Sequence, residues 1–229
     1  MQNTPIPELW VWAEYYCPWT YIAVVRLEKI ALEYLGRARL AVRAFPLEVY
    51  GGGPPNKHEL DQEWWLAALQ EPEALFRPYQ NADWPATTLP AFEAVWCARQ
   101  QDETAARSLD LRIRRAFFAE SVNIGRREIY GELAREVGLE LPAFQRLFES
   151  SRPREAVLEE GRVGQQQFHV RSTPTLMLSS GKRLRQPIAY PHSENDQIAS
   201  VDPLPCAGEG CYQATRALFD QAIALSEAV

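Results

Sequence analysis

Cys17-Pro18-Trp19-Thr20 sets a thiol and a hydroxyl three residues apart, separated by a proline that has no N–H. A thiol reacts as its thiolate, and backbone N–H groups at a helix N-terminus favour that ion. With a helix starting at Pro18, Cys17 faces those groups, and Thr20 can bring its hydroxyl back toward the sulfur as a further donor. The competing reading is a small buried hydrophobe without reactivity. Cys206 and Cys211 enclose Ala207-Gly208-Glu209-Gly210, a loop whose two glycines let the sulfurs meet. They read either as an auxiliary redox pair or as plain reduced thiols ahead of a helix. A structural zinc would need two further ligands, and only His192 is near in sequence, so no metal is expected. Cys97 shares a helix with Phe92 and Trp96 and reads as core. His58, His169 and His192 offer no partner at nucleophile–base spacing, and Glu159-Glu160 reads as a solvated face.

The elements that must position these residues follow from the hydrophobic pattern. Glu8 to Tyr16 is short and rich in aromatic and apolar residues, the pattern of a buried strand. Trp19, Ile22, Ala23, Leu27, Ile30, Ala31 and Leu35 then recur at helical spacing, with Pro18 suited to the first turn and Gly36 to the stop. Ala38 to Tyr50 returns to alternation. This β-α-β order implies parallel, right-handed pairing of the two strands. Gly51-Gly52-Gly53-Pro54-Pro55 ends the segment; without a following Lys-Ser/Thr or G-x-G-x-x-G spacing it is not a phosphate loop.

From His58 to about Gln167 the period is helical. Leu60, Trp64, Trp65, Ala68 and Leu69 form one stripe, and Leu89, Phe92, Val95 and Trp96 another. Tryptophans at this spacing read as core rather than as a ligand cage. Thr175 to Leu178 is a short strand, Ser179 to Lys182 a turn, and Arg183 to Tyr190 a return strand. Pro191 to Pro205 reads as a loop, and Tyr212 to Ala228 as a closing amphipathic helix.

The 229 residues are 46% hydrophobic and 24% charged, the balance of a soluble globule rather than a disordered or fibrous chain. A net charge of −6 argues against nucleic-acid binding, which needs a basic face. No apolar run is long enough to span a membrane. Met1 to Pro7 has neither a basic n-region nor an apolar h-region, so a cytoplasmic protein is expected.

Several motifs, in order, resemble the DsbA-like branch of the thioredoxin superfamily, in particular its FrnE-like members. That family typically has Cys-Pro-Trp-Cys-Tyr-Ile-Gly after its first strand; here stands Cys17-Pro18-Trp19-Thr20-Tyr21-Ile22-Ala23. Ala116-Phe117-Phe118-Ala119-Glu120-Ser121-Val122-Asn123-Ile124 is similar to the family's helical segment, as are Gly138-Leu139 and Phe144. Val170-Arg171-Ser172-Thr173-Pro174-Thr175-Leu176 looks like its Gly-Val-x-Gly-Thr/Val-Pro-Thr segment, with serine replacing the glycine. The resemblance implies an α/β thioredoxin fold (β-α-β … β-β-α) interrupted by a large all-helical insertion. Residues 1–54 and 168–229 would form the thioredoxin-like domain and 55–167 the insertion. It implies a cis peptide at Thr173-Pro174 packed against Cys17, with Pro18, Trp19, Thr173 and Pro174 binding substrate.

One departure changes the chemistry. Thr20 stands where the family has its resolving cysteine, so no Cys-x-x-Cys disulfide can form, and a mixed disulfide on Cys17 needs another thiol to release it. The expectation is a thiol–disulfide oxidoreductase working through Cys17, assisted by Thr20. Its partners would be thiol- or disulfide-containing proteins or glutathione, with no bound cofactor and glutathione a candidate co-substrate. Two alternatives stand beside it. One is a glutathione-dependent enzyme like kappa-class transferases or 2-hydroxychromene-2-carboxylate isomerases, which use serine where Cys17 stands. The other is a redox-inactive binding module.

Overall fold

The computed structural model describes residues 6–54, 56–194 and 197–226; Met1 to Pro5, Pro55 and Ala228 lie outside them. The first strand, β1 (Glu8–Ala13), carries Leu9 and Val11 on one face and Trp10 and Trp12 on the other. Helix α1 (Pro18–Ala31) follows, and then β2 (Arg39–Ala44), which pairs with β1 in parallel, Leu9 opposite Leu40 and Val11 opposite Val42. Six helices of more than one turn come next: α3 (Lys57–Gln70), α4 (Leu89–Arg99), α5 (Glu103–Glu120), α6 (Tyr130–Glu136), α7 (Leu141–Phe148) and α8 (Arg152–Gln166), after the single turn α2 (Leu47–Tyr50). The chain then returns as β3 (Thr175–Leu178), antiparallel to β1, and β4 (Arg183–Leu184). The sheet order β2-β1-β3-β4, with the connections on either side, is the thioredoxin fold with a helical insertion between β2 and β3. Helix α9 (Glu209–Ser226) closes the chain.

Both faces of the sheet are covered. Leu9, Val11 and Leu176 join the main core with Ile22, Leu27 and Phe219. On the other face Trp12, Phe45, Val170 and Met177 form a second cluster. Helix α8 approaches that face closely enough that a Cβ on Gly164 would fall 2.7 Å from the Trp12 ring, so only glycine fits. The insertion is tied to α1 by aromatic packing, with Tyr21 stacked on Phe118 at 5.0 Å between centroids. A buried ion pair adds to it, Arg26 Nε donating to Glu71 Oε2 at 2.8 Å.

Several boundaries differ from the sequence pattern, each for a local reason. β1 stops at Ala13 because Glu14, Tyr15 and Tyr16 turn their polar groups into contacts with Leu47, Gly53 and the insertion residues Thr88 and Asp110. The alternation after Ala38 ends at Ala44, and Pro46 starts the turn α2 instead. α1 gives way to a 3-10 turn over Leu32–Tyr34 before Gly36, which takes the left-handed φ of +76°. The return strand is two residues long because Gln186 and Pro187 leave the ladder. The expected loop after Pro191 holds a hairpin, β5 (Pro191–Glu194) with β6 (Gln197–Val201). Trp65 and Leu69 are exposed, at 60% and 78%, because only the Leu60/Trp64/Ala67 edge of α3 faces the core.

Candidate active site

Three stretches distant in sequence converge at the start of α1. Cys17 is the residue just before the helix, extended at φ −79° and ψ 113°, with Pro18 in the first turn. The segment leading to it is fixed on both sides. Tyr15 Oη donates to Asp110 at 2.7 Å, Tyr16 Oη donates to the Gly53 carbonyl at 2.8 Å, and the Leu47 N–H donates to Glu14 at 2.7 Å. The Cys17 thiol in turn donates to the Thr173 carbonyl at 3.3 Å. The Thr173–Pro174 peptide bond is cis. Gln186 Nε2 donates to the Pro174 carbonyl at 3.2 Å and holds this segment from behind.

Beside the thiol runs a groove of about 500 Å³, lined by Trp19, Thr173, Pro174, Gln186 and Tyr190 and, from the insertion, Glu63. Trp19 bridges the two parts: its indole N–H donates to Glu63 Oε2 at 3.0 Å, and its ring meets Tyr190 edge-on at 5.7 Å. Arg183, Arg185 and Asp202 complete the rim, and Asp202 pairs with His192 at 2.8 Å. A larger cavity of about 910 Å³ opens between α1 and α5, lined by Val25, Leu32, Leu35 and Leu111, but no thiol reaches it.

The electrostatics overturn one expectation. Burial pushes the Cys17 thiol up to about 11, with Glu63 nearby adding to the rise. The Thr20 hydroxyl and N–H and the Thr173 hydroxyl oppose this but do not outweigh it. The helix start therefore does not by itself yield a thiolate, because Cys17 is only 7% exposed. Both hydroxyls are sealed in without an oxygen or nitrogen partner, leaving them beside the sulfur. Burial, reinforced by Glu59, raises the Glu63 carboxyl to about 7. Burial likewise drives the Tyr190 phenol well above its ordinary range, with Cys17 contributing.

Of the residues singled out in the sequence, Trp19, Thr173 and Pro174 line the groove; Cys17 lies just inside its wall, joined to it through the Thr173 carbonyl, with Thr20 also close to the sulfur. Pro18 is buried in the helix start and does not line the groove. Cys206 and Cys211 are joined in a disulfide with Cα atoms 5.1 Å apart, and Cys206 Sγ lies 3.7 Å from the Pro187 carbonyl, behind the groove wall. Cys97 is fully buried. Glu63, Gln186, Tyr190 and Asp202 were not legible as site residues. Each reaches the groove by a tertiary contact that leaves no local pattern. Among the described residues, no cluster of His, Cys, Asp and Glu is arranged to hold a metal ion, and no helix is long and apolar enough to cross a membrane.

None of the curated proteins matches the chain. Among solved structures it is similar to the cytosolic disulfide reductase DsbM from Pseudomonas aeruginosa, at 19% identity and TM-score 0.65, over 95% of this chain and 99% of that one. The same protein with GSH aligns at 20% identity and TM-score 0.61, over 78% and 89%. A 2-hydroxychromene-2-carboxylate isomerase aligns at 17% identity and TM-score 0.58, over 77% and 87%. These likenesses bear on the fold. The family assignment rests on the model of the DSBA-like thioredoxin domain, which matches residues 8–187. Match, sheet order and the placement of Cys17 agree: the chain belongs to the DsbA-like family of thioredoxin-fold thiol–disulfide oxidoreductases.

Proposed function

We propose that the protein is a monothiol oxidoreductase in which Cys17 forms mixed disulfides with a protein thiol or glutathione and a second thiol releases them. The observation that carries this reading is the Cys17 sulfur 3.3 Å from the Thr173 carbonyl at the edge of the groove, with Thr20 where a second sulfur would stand. A peptide or glutathione backbone lying along Thr173 would take that carbonyl as its hydrogen-bond acceptor and bring its own sulfur to Cys17. The paired arginines of the rim, Arg183 and Arg185, suit the carboxylates of glutathione. The cytosol is the proposed compartment, supported by the name of the similar DsbM. The Cys206–Cys211 disulfide is proposed as an auxiliary pair that exchanges with small thiols rather than with Cys17. The test is mass spectrometry after exposure to oxidised glutathione. An adduct on Cys17 that reduced glutathione removes, and that Cys17→Ser lacks, is the expected result; an inert Cys17 would sink the proposal.

A second reading is favoured by the raised Cys17 thiol together with the fold shared with the isomerase. Glutathione itself would then supply the reacting sulfur as a transferase or isomerase cofactor, and Cys17 would only line its site. Glutathione binding measured by calorimetry, without any adduct on Cys17, would identify this case.

A further inference from the structure

The burial that keeps Cys17 protonated has a second effect on the proposed cycle. A sulfur that resists ionisation is also a slow leaving group when a second thiol displaces it from a mixed disulfide. We propose that Glu63 of α3, held against Trp19 at the groove, returns the proton to Cys17 as it is expelled, directly or through one water. The inference rests on the monothiol reading above. The geometry supports it in three ways. Glu63 lines the same groove as Thr173 and Pro174. Its Oε2 is pinned by the Trp19 indole N–H at 3.0 Å, which leaves Oε1 for the proton. Among the described residues no arginine or lysine is paired with it, so the carboxyl is not locked as an anion. Its displacement to about 7 lets it carry a proton at neutral pH and shed it again.

In the step, the thiolate of a second glutathione attacks the glutathione sulfur of the mixed disulfide. A bond forms between those two sulfurs, the bond to Cys17 breaks, and its electron pair leaves on the Cys17 sulfur. That sulfur takes the proton of Glu63. The incoming thiol is oxidised, Cys17 is reduced, and the products are oxidised glutathione and the Cys17 thiol. Glu63 regains the proton that the second glutathione lost on ionising.

The titratable and charged groups around Glu63 are Glu59 one turn earlier on α3, the neutral Cys17 thiol and Tyr190 phenol, and across the groove Arg183, Arg185 and the Asp202–His192 pair. Two variants of the full chain separate a proton carrier from a merely repulsive charge. Glu63→Gln keeps an acceptor for the indole but cannot titrate. Glu59→Gln removes a neighbouring charge and leaves the carrier. Each protein, glutathionylated on Cys17, is mixed with reduced glutathione, and discharge is followed by intact mass from pH 5.5 to 9. Glu63→Gln should discharge about a hundredfold more slowly than the parent and lose the parent's inflection near neutral pH. Glu59→Gln should keep the parent's maximal rate with that inflection moved to lower pH, since Glu59 adds to the burial that holds the Glu63 carboxyl up. A Glu63→Gln rate equal to or above the parent's would overturn the inference, for a charge that only repels the outgoing thiolate gives that result when removed. A parent that takes up no glutathione would fail the function proposed above, and this inference with it, before any variant is mixed.

Discussion

At the scale of the residue, the site is a thiol whose surroundings hold it protonated. Its reaction with iodoacetamide should therefore climb about tenfold per pH unit through the neutral range, without a plateau until the pH nears 11. A plateau near pH 7 in alkylation rates measured by mass spectrometry would contradict the burial described. Thr20 makes a second prediction. Residues three apart at a helix start share a face, so Thr20→Cys should form a disulfide with Cys17. Insulin reduction should then rise well above the parent, which on the proposed monothiol reading should need added glutathione for turnover. Absence of any disulfide in that variant would contradict the placement of Cys17 just before Pro18. Cys17 and Thr20 were legible because both lie in one strand-to-helix junction. The roles of Thr173 and Pro174 came from family resemblance rather than from their types. Glu63 was hidden: 44 residues separate it from Trp19, and on its own helix it looks like any charged side chain.

Between elements, Glu14 is the joint. Fully buried at the end of β1, it accepts from the Tyr15 N–H at 2.6 Å, the Leu47 N–H of α2 at 2.7 Å and the Thr88 hydroxyl ahead of α4 at 2.7 Å. Glu14→Ala would leave those donors without a partner and should lower stability by about 3 kcal/mol in urea unfolding. Burial raises its carboxyl from 4.5 to about 7. A carboxyl raised by folding stabilises fully below its unfolded value and loses that contribution as pH rises through its folded one. The urea midpoint should accordingly be lower at pH 8 than at pH 5, with Glu63 acting in the same direction and Glu14→Gln flattening the difference. Sequence pattern located the core elements well where apolar residues repeat, as in β1 and α1. It failed at β5 and β6, whose mostly exposed polar residues carry no alternation. It also overran β1 and β2, where Tyr15, Tyr16 and Leu47 are apolar enough to extend a strand but are claimed by tertiary contacts.

On the scale of the whole molecule, the insertion and the thioredoxin part share one support. Arg26 of α1 donates to Glu71 at 2.8 Å and to the Pro187 carbonyl at 2.7 Å, while Gln70 and Ala189 exchange two hydrogen bonds of 2.8 and 2.9 Å. Arg26→Ala would remove the cation facing Glu71, itself 2% exposed and left with only the Tyr212 hydroxyl and the Glu73 N–H, and should cost about 3 kcal/mol. Calorimetry should show a single transition at lower temperature rather than two, since both parts lean on the same pair. The wall of the groove from Gln186 to Tyr190 thus depends on residues far upstream, and the cover of Cys17 depends on residues far downstream. This has a consequence during synthesis. Cys17 leaves the ribosome early, but Thr173 and Tyr190 follow only after about eight to thirty-five seconds at roughly 5–20 residues per second. Through that interval the thiol lacks the cover that the finished protein gives it, and it meets oxidants more freely than it does once folded.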